Sequence, residues 1–496
     1  MRTVQQVPVG FVLLVAICAP VEAKEFHAAT QGLANGDGSQ AAPWDLTTAL
    51  SKVDIIRAGD TLWLHEGVYR GGFECRLAGN VDAPVTIRRF PGERVTIDSR
   101  PRDKQDTGLF AVMGDHAVFW GFEVTCSDPK RETSEGGSWP GDIRRGGMFC
   151  RASHVKFINL VVHDTAGGFG FWSEGEGGEI YGSLIYHNGW RGPDRGHGHG
   201  IYAQNRTLSK RLIDNIVFRQ FGSGIHCYGS NQAFVQGFEI EGNIGFHNGI
   251  LAGPNAGTPA IFVGGGRSIE RLRVADNYTF EGAIHCGYPW GNANRDLLLR
   301  DNYVVGGLFV RDFKTVEVTG NTVIGPSGLV RLESSTEFDP AQYVWDKNDY
   351  FRTTDMWSAF EIAGGEKRRG MEFSGWQAAG FDAEGRFGRQ AAGTHVFVRP
   401  NRYEQGRAHV AVYNWDRADA VDVDLQGVLQ GGDRYRLVSA QDFFGTPLFE
   451  GVYDGRPLRL AMRSNHSAAP VGMPDFQPPA TEPVFGAYVV LSDAAR

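Results

Sequence analysis

Between Gly147 and Leu332 one short pattern keeps returning, and it restricts the possible folds more than any other feature of the chain. Its copies read Gly147-Met148-Phe149-Cys150-Arg151, Gly170-Phe171-Trp172-Ser173-Glu174, Gly200-Ile201-Tyr202-Ala203-Gln204 and Gly224-Ile225-His226-Cys227-Tyr228. They continue as Ala260-Ile261-Phe262-Val263-Gly264, Ala283-Ile284-His285-Cys286-Gly287, Gly307-Leu308-Phe309-Val310-Arg311 and Gly328-Leu329-Val330-Arg331-Leu332, with Gly108-Leu109-Phe110-Ala111-Val112 as an earlier copy. A strand turns successive side chains to opposite faces, so the second and fourth positions face inward and the third and fifth face outward. Strand-only repeats with a period of roughly 20–50 residues make a solenoid, here a parallel β-helix. The longer step from Ile225 to Ile261 predicts a loop, one able to fold over the outer face.

Upstream of each copy a second column reads Asn-x-aliphatic. Asn159, Asn215, Asn243, Asn277, Asn302 and Asn321 hold the slot, with Ser183 and Gly121 in other copies. An amide carries donors and an acceptor, so identical amides one rung apart can bond along the stack. The 67 glycines exceed ordinary usage of about 7 %, as tight solenoid corners require.

Residues 1–23 read as a signal peptide: Arg2, an apolar run from Val9 to Ala19, and a small-residue cleavage site at Val21-Glu22-Ala23. The remainder, with a net charge of −8 and no other apolar span, is expected to be exported and soluble, without a nucleic-acid partner or a membrane crossing. Cys150, Cys227 and Cys286 fall in the inward small column and are expected to be free; Cys75 and Cys126 are the pair left for a possible disulfide.

Near the start, Trp44 to Leu50 has an Asp45 cap and helical spacing suited to covering the end of a solenoid. The words Gly59-Asp60-Thr61 and Gly67-Val68-Tyr69, with the rung His199-Gly200-Ile201-Tyr202, resemble the pectate-lyase-like right-handed parallel β-helix superfamily of secreted polysaccharide-degrading enzymes. The resemblance covers residues 40–335 and implies the fold. It leaves the reaction open, because that architecture hosts lyases, hydrolases, epimerases, esterases and tailspikes. The expected organisation is all-β: a β-helix over 24–336 with an N-terminal capping helix, a capping connector over 337–394, and a C-terminal antiparallel β-sandwich over 395–496. Within the connector, Phe373 to Gln377 is read as the start of a short helix.

If the third column faces out, Phe110, Phe149, Trp172, Tyr202, His226, Phe262, His285 and Phe309 form a row of exposed rings on which sugars can stack. Beside it the fifth column holds Arg151, Glu174, Gln204, Tyr228 and Arg311, polar groups suited to orienting a glycan. The densest set of proton carriers is Asp194-Arg195-Gly196-His197-Gly198-His199, leading into Tyr202, with His226 one rung on, about 4.8 Å away. Tyr202 and His226 can exchange protons with a uronic sugar while Arg195 neutralises its carboxylate, which points to β-elimination. Asp194 and Glu174 offer the alternative of a glycosidase pair. A third reading is a glycan-binding protein without catalysis.

No cofactor is expected. His197 and His199 could share a divalent metal, and no acidic calcium cluster is apparent. A further column, His163, His187, Arg219, His247 and Glu281, is read as turn structure, with Asp164, Asn188 and Asn248 following it. Substrate sugar, linkage and oligomeric state are not legible.

Overall fold

A computed structural model of the protein describes residues 23–99, 109–138, 140–143, 146–230, 233–253, 258–288, 294–334, 340–354, 357–364, 367–463 and 466–493. The expected signal peptide, apart from residue 23, and Gly108 lie outside these. Among the described residues, three stacked sheets coil into a parallel β-helix. Sheet 1 has 13 strands and opens with Glu25–Ala28; sheet 2 has 12, from Phe73–Cys75 to Phe360–Gly364 with an antiparallel edge at Lys367–Met371; sheet 3 has 12, from Gly67–Arg70 to Arg386–Gly388. Each turn of the chain visits sheet 1, then sheet 3, then sheet 2.

Sheet 2 carries the repeat. Phe73, Phe110, Met148, Phe169, Ile201, Ile225, Ile261, Ile284, Leu308, Val330 and Phe360 stand in line and face the core, followed two residues later by Cys75, Val112, Cys150, Phe171, Ala203, Cys227, Val263, Cys286, Val310 and Leu332. Three copies are therefore out of the expected register. Phe110 pairs with Met148, so it points inward and Ala111 takes the outer position. Phe169 pairs with Ile201, so Gly170 is the outward residue of its rung and Trp172 falls level with Gln204. Leu308 pairs with Val330, not Leu329, which turns Arg331 to the outside. All five described cysteines are buried and none is in a disulfide, Cys75 and Cys126 included.

Amides do form a ladder between sheets 1 and 3. Each of Asn215, Asn243, Asn277, Asn302 and Asn321 donates its side-chain N–H to the amide oxygen of the next rung, and that oxygen also takes the backbone N–H of the previous one. The row runs on through Asn348 to a fully buried acceptor, Asp382, which also receives Tyr350 and Trp376. Ser183 begins the row. Asn159 and Gly121 are one residue too early: both occupy the left-handed corner at φ 53° and 79°, and Leu160 stands in the ladder slot.

The long step from Ile225 to Ile261 is not one loop. It supplies Phe238–Glu241 to sheet 1 and Ile244–Phe246 to sheet 3, plus a short turn at Ile250–Ala252. Parallel pairing also runs past residue 336, through Tyr343–Asp346, Asp349–Arg352, Phe360–Gly364 and Arg386–Gly388, so the stretch read as a connector coils with the rest. Within it the helix Phe373–Ala378 lays Trp376 on Phe360. At the other end, the helix Leu46–Ser51 has Asp45 accepting from Thr48 and buries Leu46, Ala49 and Leu50.

After residue 393 comes a five-stranded antiparallel sheet, in the order Thr394–Pro400, Arg407–Asn414, Phe485–Ser492, Arg434–Ser439, Phe449–Val452, and a pair, Ala420–Val423 with Leu458–Ala461. The two share one apolar core. The other face of the larger sheet lies on the outside of sheet 3, where Leu184, Tyr186, Phe218, Phe246 and Phe280 meet Tyr413, Phe485 and Val489. Polar ties lock this seam: Arg399 to Asp214, Arg219 to Gln441 and Ser467, and Tyr413 to the Thr279 carbonyl. The C-terminal unit thus covers sheet 3 and leaves sheet 2 uncovered by it. None of the described helices is long and apolar enough to cross a membrane.

Candidate functional site

The outer face of sheet 2 presents half-buried rings in contact from rung to rung. Phe149 meets Trp172 edge-on at 5.8 Å, Trp172 meets Tyr202 at 5.5 Å, and Tyr202 meets His226 at 5.5 Å. His226 stacks flat on Phe262 at 4.9 Å, Phe262 touches His285 at 6.0 Å, and His285 touches Phe309 at 4.2 Å. The slipped register does not break the row, because Gly170 has no side chain: a Cβ there would come within 2.9 Å of the Phe149 ring and 3.3 Å of the Trp172 ring, which close over it. Tyr228 flanks Tyr202 and His226, and Tyr288 stacks beside Phe262.

His199 and His226 form a pair whose protons can be placed. The backbone N–H of Ser223 donates to His199 Nδ1 (3.0 Å), so the proton of neutral His199 sits on Nε2 and is donated to His226 Nδ1 (3.1 Å). That leaves His226 with its proton on Nε2, a buried N–H without a partner. Burial, followed by the charge of Arg195, lowers the pKa of His199 to about 4; burial and then His199 lower that of His226 well below the ordinary value, so both are neutral at pH 7. His226 is therefore a hydrogen-bond donor at rest and not the proton acceptor that its position suggests. Tyr202 is pushed up to about 12 by burial, despite a hydrogen bond with Gln204 that acts the other way. Its phenol stays protonated.

The other expected carriers stand apart from this pair. Trp190–Arg191 and Gly196–His197 make a small hairpin in which His197 stacks on Trp190 and bonds Asp194 (2.8 Å), while Arg195 pairs with the same exposed carboxylate. His197 and His199 thus turn to different partners, and no group of three or more metal-binding side chains occurs among the described residues. Glu174 pairs with Arg151 at 3.3 Å, both exposed, at the N-terminal end of the row.

The reading from sequence missed the opposite end. Arg331, turned outward by the one-residue slip, stands beyond Phe309 and binds Glu333; so does Arg311 from the neighbouring rung. Arg331 and Arg368 also reach Glu361, at 3.1 and 3.4 Å. Three guanidiniums share two carboxylates here, leaving one positive charge at the end of a neutral aromatic row. Next to it, His285 makes ring contacts but no hydrogen bond among the described residues, and burial, then Arg311 and Arg331, bring its pKa down to about 4. Outward placement at every second residue was the signal for Arg331, Glu333 and Glu361; the misplaced glycine hid it.

The corner column also differs by one residue. His163 pairs with Tyr186, and Asp164 takes the left-handed corner with His187, Arg219, His247 and Glu281. His163 lies between Glu123 (2.9 Å) and Asp164 (2.8 Å), under the C-terminal unit, and Arg131 binds Asp164. Arg131 and Asp164 in turn bond the backbone of Val471 in the C-terminal unit, which joins the halves of the molecule. Asn188 and Asn248 bond backbone inside the turns, as structural amides do.

No family model matches the sequence, and no curated protein does. Solved structures similar to the chain include a rhamnogalacturonan lyase (15 % identity, TM-score 0.47, covering 65 % of this chain and 86 % of that one). A pectate lyase is similar at 16 % identity and a TM-score of 0.40 over 70 % and 77 % of the two chains, and XylC in complex with xylose at 12 % and 0.41 over 94 % and 100 %. At such identities and scores no residue role transfers, so the chemistry has to come from the side chains of sheet 2 themselves.

Proposed function

We propose that the protein is an exported carbohydrate-active enzyme that binds an acidic polysaccharide along the outer face of sheet 2 and cleaves it by β-elimination. In this reading the coil is right-handed and the helix Leu46–Ser51 closes its N-terminal end. The observation that supports it best is the unbroken row of rings from Phe149 to Phe309 ending in the Arg311, Arg331 and Arg368 cluster. Rings stack on the apolar faces of sugars, and the surplus guanidinium charge favours a sugar carboxylate.

Such a carboxylate, held by Arg311 and Arg331, makes the neighbouring C5–H more acidic. Neutral His285, one rung before Phe309, takes that proton; the C5–H electrons form the C4–C5 double bond as the C4–O bond breaks, and the leaving oxygen is protonated from solvent. Neutralising the two arginines also removes the coulombic part of what depresses His285, so the substrate itself raises the basicity of its base. Further along the row, the rings of Phe262 and Tyr202 hold neighbouring sugars. Hydrolysis by Asp194 and Glu174 has less support, since each is tied to a different partner at the surface.

Incubation with polygalacturonate, alginate and xylan tests this. Ultraviolet absorbance of a new C4–C5 double bond is expected on the two polyuronates and not on neutral xylan. New reducing ends without that absorbance would mean hydrolysis, and retention of glycan with neither signal would leave only a binding protein. The acid limb of kcat/KM is expected near the His285 value of about 4. Activity holds as pH falls from neutrality and is lost once the imidazole takes its proton. A limb near the ordinary histidine value, about 6.5, would contradict a buried base beside two arginines.

A further inference from the structure

The geometry points to Lys210 as a positioning residue that fixes Trp172 and Gln204 on the outer track from inside the coil. Lys210 opens the sheet 1 strand Lys210–Ile213 and is completely buried. Its ammonium donates to the carbonyls of Gln204 (2.6 Å), Trp172 (3.1 Å) and Phe171 (3.4 Å), and lies 3.7 Å from the centre of the Phe171 ring. Those carbonyls sit where two neighbouring sheet 2 strands, Phe169–Phe171 and Ile201–Ala203, come to an end.

Drawing the Trp172 and Gln204 carbonyls inward fixes their peptide planes, and so the direction in which both side chains leave the sheet. Trp172 then reaches Phe149 and Tyr202, and Gln204 stands where it lowers the pKa of the Tyr202 phenol against the effect of burial. Three members of the outer row thus depend on one interior cation. No carboxylate pairs with it among the described residues. The titratable groups that face it are the thiols of Cys150 and Cys227 on adjacent rungs and, farther off, Glu174 and Glu176 in the turn after Phe171. A methionine would fill the same space without burying a charge, so what distinguishes lysine here is its three donors matched to three carbonyls.

Burial lowers the Lys210 pKa to about 7. A neutral amine has two donors and must aim its lone pair at the third carbonyl, so the grip on Trp172 and Gln204 loosens as pH rises through that value. The inference rests on the outer row being the glycan track, but its test needs no glycan, and failure of one leaves the other to be judged separately.

The emission of Trp172 is obtained as the difference between wild type and Trp172→Phe, and its quenching by acrylamide is followed with pH. Lys210→Met is expected to raise quenching of Trp172 by at least about twofold, the sign of a locally opened side chain, with the far-ultraviolet circular dichroism unchanged. Wild-type quenching is expected to rise through about pH 7, and that of Lys210→Met to stay flat. A folded Lys210→Met with unchanged Trp172 quenching overturns the assignment. If that variant does not fold, the wild-type titration decides: a step near neutrality supports the role, and a flat profile overturns it.

Discussion

Asn277→Ala is expected to lower the free energy of unfolding by about 3–5 kcal/mol, read from urea or thermal denaturation. The side chain is fully buried and makes five hydrogen bonds: it donates to the carbonyls of Ile240 and Ala275 and to Asn302, and accepts from the backbone and the side chain of Asn243. Alanine removes all five at once and strands donors and acceptors that water cannot reach. Asn159→Gly, which keeps the left-handed backbone, is expected to cost about 1 kcal/mol, since the Asn159 oxygen only receives Asn401 across the domain seam. By sequence the two asparagines are equivalent. Equal losses would mean that the ladder does not carry the stability assigned to it.

His285→Ala is expected to lower turnover of a polyuronate roughly 10²–10⁴-fold, the range for removing a positioned general base. KM should change little, because the ring contributes edge contacts to Phe262 and Phe309 and the arginines hold the carboxylate. Arg331→Ala should act differently. It leaves Arg311 and Arg368 to balance Glu333 and Glu361 and takes away the surplus positive charge, so KM rises and turnover falls. His226→Ala removes a donor but no base, and its loss should be the smaller of the two histidines. Near wild-type turnover in His285→Ala would take that residue out of the mechanism.

The coil itself was legible because a two-residue alternation repeated at a solenoid period admits few other folds, and the amide column marked one corner of each turn. Register was less legible, for a physical reason. Glycine opens most copies, but Gly170 lies within its strand, beneath the rings of Phe149 and Trp172, and Gly328 stands two residues before Val330, which takes the inward slot. A slip of one residue, as at Phe110 and Arg331, exchanges the two faces, whereas the two-residue slip at Gly170 keeps them and moves Trp172 from the level of Tyr202 to that of Gln204. Asn159 misled in the same way, since asparagine serves a left-handed corner as readily as it serves the ladder. The His199 and His226 pair came from adjacent rungs, as spacing suggested. Their proton placement did not, because it depends on the Ser223 backbone N–H, which no side-chain pattern reveals. Asp194 lay close in sequence to His199, yet the hairpin turns it to His197.

The proposed function depends most on the outer face of sheet 2 being where the glycan lies. A crystal structure of the protein with a galacturonate oligomer tests it directly. The expected result is sugar rings running along the axis of the coil over Tyr202, Phe262 and Phe309, with a carboxylate on Arg311 or Arg331. Sugar bound on sheet 1 or on the C-terminal sheets, with the sheet 2 row left bare, would contradict it.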